Sequence, residues 1–335
     1  MQPNEVVNNW QLGGTVVDAE SVTTGLIIEP IGNGLINTTY KVTTMGGVFV
    51  LQKIHQIIPD AAATDMLVVT SYLAEHGLRV PKLVLTNEGQ PFATDGEGSR
   101  WRVYPWIEGV VVNAVDNEEM VREAGKMVGE MHGLLAKLDY QPTGSIPHFH
   151  ETEYIVGELQ AVSSELPSEL AVIAQDIIDE VPKLLLNETV QTKQIIHGDL
   201  KISNLLFDEA GKAVGVIDFD TILWHFPAID LGDALRSWCN KTSEDDAGAV
   251  IDEALCQAAL AGYAAGLGRE LTDSERTLYL RATKLIALEL TSRFLIDVVR
   301  DNYFGFDAVR YSDRRSHNVA RALGQYHLAQ SINLI

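Results

Sequence analysis

The sequence predicts an α+β fold with two lobes, because the chain changes character after residue 104. Residues 1–104 carry short runs of β-branched and aromatic residues separated by glycine turns, a pattern typical of antiparallel strands. From Glu118 onward the apolar residues recur at helical spacing, in a stripe that runs from Met120 to Leu138. We therefore expect a β-rich lobe over 1–104 and a mostly helical lobe over 105–335.

Strands and one glycine-rich connection can be placed within the first lobe. The predicted strands are Leu26–Pro30, Thr39–Thr43, Val48–Ile54, Val80–Leu85 and Arg100–Val103. Gly32 and Gly34 lie in the connection between the first two strands, and without Cβ atoms they allow backbone N–H groups to approach a phosphate. A simple hairpin turn is the alternative for a Gly-x-Gly segment considered alone.

The most informative segment, 195–222, reads IIHGDLKISNLLFDEAGKAVGVIDFDTI. Asp199 and Asn204 stand five residues apart after a His-Gly pair, and Asp218 follows a second apolar run. Phosphoryl transfer from a Mg²⁺-bound nucleotide needs one oxygen that takes the acceptor's hydroxyl proton and further oxygens that hold the metal. These three side chains can supply both. The alternative is a chance hairpin whose Asp and Asn residues only form turns.

The same segment resembles the protein-kinase catalytic loop H-R-D-x-x-x-x-N and its D-F-G motif, except that Gly198 replaces the Arg and Asp220 replaces the Gly. Its His-Gly-Asp-(x4)-Asn and Ile-Asp-Phe-Asp motifs are similar to those of the aminoglycoside phosphotransferase family of small-molecule kinases. That resemblance implies a protein-kinase-like fold with ATP and Mg²⁺ as cofactors. It also implies Asp199 as the catalytic residue and Asn204 and Asp218 as metal ligands.

The resemblance further implies a nucleotide site formed by the first lobe and the connector that follows it. Residues expected to contact the nucleotide are Gly32, Gly34, Asn37, Thr38, Lys53, Trp106 and Ile107. A kinase places a lysine on its third strand, and that position falls on Gln52 or Lys53. Because neighbouring strand residues point to opposite faces, only one of the two enters the site. Charge favours Lys53, with a solvent-facing lysine as the alternative.

Two further roles follow from position in the chain. The backbone of Trp106 and Ile107, between Pro105 and Gly109, is expected to bind adenine, with an ordinary connecting loop as the alternative. The resemblance also implies that Asp230 steadies the backbone of the catalytic loop. Capping of the following helix is the alternative for that carboxylate.

The C-terminal third suggests the acceptor. Its Arg-Phe-Leu-x-Asp series from Arg293, its Tyr-Phe pair at Tyr303 and its His-Asn-x-x-Arg series ending at Arg321 resemble the N-acetylhexosamine 1-kinase branch of the family. That resemblance implies a hexose or N-acetylhexosamine acceptor, phosphorylated at its anomeric hydroxyl. Asp220, Arg293, Tyr303 and Arg321 are the candidate acceptor contacts. Surface salt bridges are the alternative for the tail residues, and a second metal contact is the alternative for Asp220.

Other functions stay open at this point. An aminoglycoside, choline or homoserine type of acceptor fits the same catalytic motif, as does a kinase-fold protein that only binds nucleotide. The formal net charge of −21 disfavours nucleic-acid and anionic-membrane partners. No apolar stretch approaches the roughly 20 residues of a membrane span, and the first residues lack the pattern of a secretory signal. We therefore expect a cytoplasmic enzyme with a small-molecule acceptor, whose oligomeric state and choice of ATP or GTP the sequence leaves open.

Overall fold

The computed structural model describes residues 3–13, 26–31, 37–115 and 117–334. The chain divides into two compact units. Unit 1 comprises Met1–Glu108, Gln141–Ile146 and Gly215–Ile222, and unit 2 comprises Gly109–Tyr140, Pro147–Val214 and Leu223–Ile335. Gly32 and Gly34 lie outside the described residues.

Unit 1 is built on an antiparallel five-stranded sheet in the order β1-β2-β3-β5-β4. Its strands are β1 (Ile27–Pro30), β2 (Thr38–Thr44), β3 (Gly47–Ile54), β4 (Ala93–Thr94) and β5 (Arg100–Pro105). Two helices belong to the same unit, α1 (Pro3–Val6) and α2 (Asp60–Glu75). Trp10, Leu12 and Val42 pack with Leu51 and Trp101 in the core beneath the sheet.

One predicted strand of unit 1 is wrong. Val80–Leu85 forms no strand, and only Val84 makes a single bridge, to Val103. Pro81 has no backbone N–H for a ladder, and the N–H of Lys82 donates to the oxygen of Val80 at 2.7 Å in a tight local turn. Val80, Pro81 and Leu83 are buried without strand pairing, so the apolar pattern of this segment resembled that of a strand.

Unit 2 is mostly helical. Its helices are α3 (Glu118–Leu135), α4 (Thr152–Val162), α5 (Ser168–Leu184), α6 (Pro227–Trp238), α7 (Glu253–Leu267), α8 (Asp273–Arg300) and α9 (Arg314–Ser331). Leu159 of α4, Ile177 of α5, Leu288 of α8 and Ala322 of α9 lie in one apolar core. No helix in the described ranges is long and apolar enough to cross a membrane.

Short strands flank the loop that carries Asp199 and Asn204. The strands β7 (Gln194–Ile196) and β10 (Leu223–His225) pair antiparallel. The strands β6 (Val110–Val111), β8 (Leu205–Phe207) and β9 (Ala213–Val216) form a sheet in the order β6-β8-β9. The hairpin predicted around Asp208–Lys212 is present, closed by the N–H of Asp208 donating to the oxygen of Lys212 at 3.0 Å.

The two units do not follow the single division at residue 104 that the sequence suggested. The segment Gly215–Ile222, which contains Asp218, belongs to unit 1. Its backbone is held there because the N–H of Val216 donates to the oxygen of Arg79 at 3.1 Å. The hydroxyl of Ser145 donates to the oxygen of Ile222 at 3.2 Å. These contacts join residues far apart in the chain, so a linear division of the sequence does not anticipate them.

Candidate active site

The loop that carries Asp199 is held by a buried carboxylate. Asp230, in the first turn of α6, accepts the backbone N–H of His197 at 2.7 Å and that of Gly198 at 2.6 Å. Burial would raise the pKa of Asp230, but the hydrogen bond from His132 and the nearby loop N–H groups hold it below its ordinary value. Asp230 is therefore a charged anchor for this loop, which confirms the role that the resemblance implied.

A histidine holds the same loop by donating a hydrogen bond to a backbone carbonyl oxygen of the loop. Nε2 of His150 donates to the oxygen of Gly198 at 2.8 Å, and Nδ1 lies 2.9 Å from Oε1 of Glu289. Burial would lower the pKa of His150, but the Glu289 carboxylate and the Gly198 carbonyl raise it to about 9. His150 is thus an imidazolium that donates from both nitrogens. This contact could not be predicted from the sequence, since no spacing rule links residue 150 to residue 198.

The side chain of Asp199 is charged and oriented by two neighbours on its own loop. Its Oδ2 lies 2.6 Å from Nζ of Lys201 and accepts a hydrogen bond from Nδ2 of Asn204 at 3.1 Å. Burial would raise the pKa of Asp199, but the Lys201 ammonium lowers it below the ordinary value. The side chain of Asp199 remains 25% exposed, so an acceptor hydroxyl can reach it. A carboxylate of this kind suits the orientation or deprotonation of a hydroxyl.

Asn204 has the donor and acceptor arrangement that a metal ligand needs. Its amide nitrogen donates to both the backbone oxygen of Asp199 and the carboxylate of the same residue. These two bonds determine which atom of the side-chain amide is the nitrogen and which is the oxygen. Among the residues that the structure describes, no hydrogen bond engages Oδ1 of Asn204, so this hard oxygen is left for another partner.

Asp218 has an uncommon backbone conformation. With φ of 68° and ψ of 59°, it is left-handed and begins the 3₁₀ turn Phe219–Thr221. A non-glycine residue persists in that region only where its surroundings fix it, and such residues are concentrated at functional sites.

The donor set fits Mg²⁺ bound together with a nucleotide. In the described part of the chain, no group of three or more His, Cys, Asp and Glu side chains is arranged to hold a metal by itself. Mg²⁺ in nucleotide sites takes one or two carboxylates and completes its shell with phosphate and water oxygens. The amide oxygen of Asn204 and the carboxylate of Asp218 are oxygen donors of that kind.

Asp220 lies in a buried polar cluster of unit 1. Its two oxygens accept from Nη1 and Nη2 of Arg102, the second at 2.8 Å, and Oδ2 also accepts from Nδ2 of Asn37 at 2.6 Å. Both oxygens are therefore engaged within unit 1. The predicted contact between Asp220 and the acceptor stays a prediction. The hydrogen bond from Asn37 gives that residue a role in holding a carboxylate.

Gln52 and Lys53 have different neighbours, and only Gln52 contacts this cluster. Oε1 of Gln52 accepts from Nε of Arg102 at 2.8 Å, whereas Nζ of Lys53 lies 5.7 Å from the ring centre of Trp101. The two side chains point to opposite faces of β3. Gln52, not Lys53, shares its face with Arg102 and Asp220. The choice of Lys53 on grounds of charge stays a prediction that these contacts do not support.

The remaining residues predicted to contact nucleotide lie near the end of β5 and the start of β2. The N–H of Trp106 donates to the oxygen of Val48 at 2.9 Å, so it is not available to adenine. Ile107 has no such backbone bond within the described residues. Thr38 is exposed and pairs with Lys53 in the sheet. A role for these residues in nucleotide binding remains a prediction.

The tail residues take part in local packing. The guanidinium of Arg293 lies 5.5 Å from the ring centre of Tyr303 and donates to its hydroxyl at 3.1 Å. Arg321 donates to the oxygen of Gly305 at 2.9 Å. Asp297 accepts the N–H groups of Asn302, Tyr303 and Phe304, and so it closes the C-terminal end of α8. Binding of a sugar by Arg293, Tyr303 and Arg321 remains a prediction.

Comparison with known proteins places residues 27–268 in a match to the model of the phosphotransferase enzyme family. A homoserine kinase of Gluconacetobacter diazotrophicus is 25% identical over 307 residues, which cover 89% of this chain and 91% of that protein. A homoserine kinase of Zymomonas mobilis is 25% identical over 274 residues, covering 81% of this chain and 80% of that protein.

Solved structures confirm the predicted kinase-like α+β fold. A microcompartment-associated aminopropanol kinase superposes with a TM-score of 0.69 at 18% identity, covering 99% of this chain and 98% of that one. An amicoumacin kinase, solved in complex with AMP-PNP, Ca²⁺ and Ami, superposes with a TM-score of 0.64 at 19% identity, covering 90% of this chain and 87% of that one. The particular resemblance to the N-acetylhexosamine kinase branch is not confirmed by these relatives.

Proposed function

Because the chain belongs to the phosphotransferase enzyme family, we propose that it transfers the γ-phosphoryl group of ATP to a hydroxyl group of a small molecule. The observation that carries the proposal is the charged Asp199 carboxylate, set between Lys201 and Asn204 on a loop that Asp230 anchors. Phosphoryl transfer depends mainly on positioning and charge neutralisation, and this loop provides both.

Each residue then has a definite role. Asp199 orients the acceptor hydroxyl and takes its proton, since its pKa lies below the ordinary value and it is ionised at neutral pH. Asn204 and Asp218 are the proposed Mg²⁺ ligands, and bound Mg²⁺ would neutralise charge on the nucleotide phosphates. Lys201 provides a positive charge beside Asp199, of the kind that stabilises a transferring phosphoryl group.

The acceptor that the relatives favour is an amino alcohol of the homoserine type. Homoserine kinases align with four fifths or more of this chain, and an aminopropanol kinase and a choline kinase share its fold. The net charge of −21 is compatible with an acceptor that carries an ammonium group. A hexose or N-acetylhexosamine is the second candidate, because the series from Arg293 to Arg321 resembles the tail of sugar kinases.

An acceptor panel tests the proposal. ADP release from Mg·ATP would be measured with homoserine, aminopropanol, choline, an aminoglycoside, N-acetylhexosamines and their methyl glycosides. We expect saturable turnover with one of the amino alcohols. Turnover only with free sugars would reject the amino alcohol and establish the second candidate. If the protein binds nucleotide but phosphorylates none of these acceptors, the kinase function itself is rejected.

A further inference from the structure

Arg102 is the centre of a buried polar cluster in unit 1. It lies on β5, and only 1% of its surface is exposed. Nε and Nη2 donate to Oε1 of Gln52, the two Nη atoms donate to the carboxylate of Asp220, and Nη1 also lies 3.2 Å from Sδ of Met66. All parts of the guanidinium fork are therefore engaged inside the protein, and none is directed at solvent.

The cluster joins segments that are distant in the chain. Gln52 belongs to β3, Met66 belongs to α2, and Asp220 follows Asp218 in the 3₁₀ turn. Asn37, at the start of β2, donates to Asp220 through Nδ2 and accepts the backbone N–H of His55 at 2.9 Å through Oδ1. One buried cation thus connects the strand face, the helix and the turn on which Asp218 lies.

This arrangement differs from the usual kinase solution. Kinases pair a lysine on the third strand with a glutamate on the following helix. At the corresponding inward positions here, β3 presents the neutral Gln52, and α2 presents Met66 to the guanidinium. The positive charge comes from β5, and its carboxylate partner comes from the turn after Asp218.

We propose that Arg102 is a positioning residue that replaces the strand lysine and fixes the metal-binding turn through Asp220. Two parallel hydrogen bonds from a guanidinium define both the position and the plane of a carboxylate. Asp220 is two residues from Asp218, whose left-handed backbone needs external support. This inference rests on the proposed function, since only a nucleotide-dependent kinase requires Asp218 as a metal ligand.

Binding of the non-hydrolysable nucleotide AMP-PNP tests the proposal without any acceptor. Calorimetric titrations would be performed at several Mg²⁺ concentrations and with EDTA, on the wild type and on Arg102→Met. We expect Arg102→Met to weaken Mg²⁺-dependent binding about ten-fold or more, with a much smaller change in EDTA. Arg100→Met is the matched control, since it removes a cation of the same strand that pairs with Asp60 and donates to the oxygens of His55 and Ile58, not to Asp220. It should change the ratio of the affinities with Mg²⁺ and with EDTA by no more than about two-fold.

Two further variants keep the test decisive if Arg102→Met folds poorly. Arg102→Lys keeps the charge but loses the fork, and Asp220→Asn keeps the size but loses the charge. Both should show the same selective loss of Mg²⁺-dependent binding. Adding Gln52→Lys to Arg102→Met should recover about three-fold or more of the lost affinity, because it returns a cation to the strand position.

The contrary outcomes are equally specific. Mg²⁺-dependent binding within about two-fold of wild type in both Arg102→Lys and Asp220→Asn would overturn the proposal. So would an equal loss of affinity with Mg²⁺ and with EDTA, because that result indicates general disruption of the unit. A wild type that binds Mg·AMP-PNP but phosphorylates no acceptor would reject the proposed function while the Arg102 comparison stays valid. A wild type that binds no nucleotide would reject both.

Discussion

Nδ1 of His150 lies 2.9 Å from Oε1 of Glu289, so a buried ion pair links the end of the α3–α4 connection to the middle of α8. The imidazolium also donates to the oxygen of Gly198, one residue before Asp199. Thr152 donates to the other oxygen of Glu289 at 2.5 Å. The helix α8 therefore contributes to the geometry of the catalytic loop through a single charged side chain.

This pair predicts a loss of stability at alkaline pH. Because the pKa of His150 is raised to about 9 in the folded protein, its contribution is complete below the unfolded value near 6.5 and is lost as the pH rises through 9. His225, whose pKa burial lowers to about 4, stays neutral throughout this window. The difference in free energy of unfolding between wild type and His150→Gln should therefore decrease on the order of 3 kcal/mol between pH 6 and pH 10.

Urea unfolding at a series of pH values would measure this difference. His148→Gln is a suitable control, because His148 also pairs with a glutamate, Glu151, but on the surface, where ion pairs contribute little. A pH-independent difference for His150→Gln would show that the residue is not charged in the folded protein.

Replacement by alanine should change the free energy of unfolding in opposite directions at two glycines of α3, Gly125 and Gly133. A Cβ atom on Gly125 would lie 2.2 Å from the backbone oxygen of Ala259 on α7, whereas a Cβ on Gly133 would meet nothing within 4 Å. Gly125→Ala should therefore lower the free energy of unfolding by about 1–3 kcal/mol, since the two helices must separate. Gly133→Ala should raise it by about 0.5–1 kcal/mol through helix propensity. Thermal or urea unfolding of both variants tests the pair, and a Gly125→Ala variant as stable as wild type would contradict the described contact between α3 and α7.

Because Gln52 and Lys53 lie on opposite faces of β3, we expect replacement of only one of them to change the KM for ATP. Lys53→Met should leave the KM for ATP within about two-fold of wild type, because Lys53 lies over Trp101 on the face away from Arg102. Gln52→Met should raise that KM, because it removes the acceptor of the Nε–H of the buried guanidinium. Steady-state kinetics with the preferred acceptor would decide. A large rise of KM for Lys53→Met alone would restore the choice that the sequence favoured.

The fold and the catalytic loop were predictable because their signals are local. Asp199, Asn204 and Asp218 lie within one short segment of fixed spacing, and the stripe of α3 repeats at helical period. The contacts of Arg102 and His150 were not predictable, because they depend on which residues face each other across strands and helices. The register that sets Gln52 opposite Arg102 illustrates this, since no sequence spacing encodes a pairing between residues 52 and 102.

Lys201 was the one missed residue with a local signal. It stands two positions after Asp199, on the same loop, and a cation next to a predicted phosphoryl-transfer base has an evident electrostatic use. The error at Val80–Leu85 has a different origin, since Pro81 interrupts the ladder although the apolar pattern continues.

³¹P NMR of the reaction with Mg·ATP and homoserine or another accepted amino alcohol, with wild type and with Asp199→Asn, measures the proposed phosphoryl transfer directly. We expect a phosphate monoester and ADP in equal amounts with wild type. Asp199→Asn should still bind nucleotide but should form the product at least about 100-fold more slowly, because the acceptor hydroxyl loses its proton acceptor. Formation of the same ester at a near wild-type rate by Asp199→Asn would contradict the mechanism, and inorganic phosphate as the sole product would contradict transfer to an alcohol.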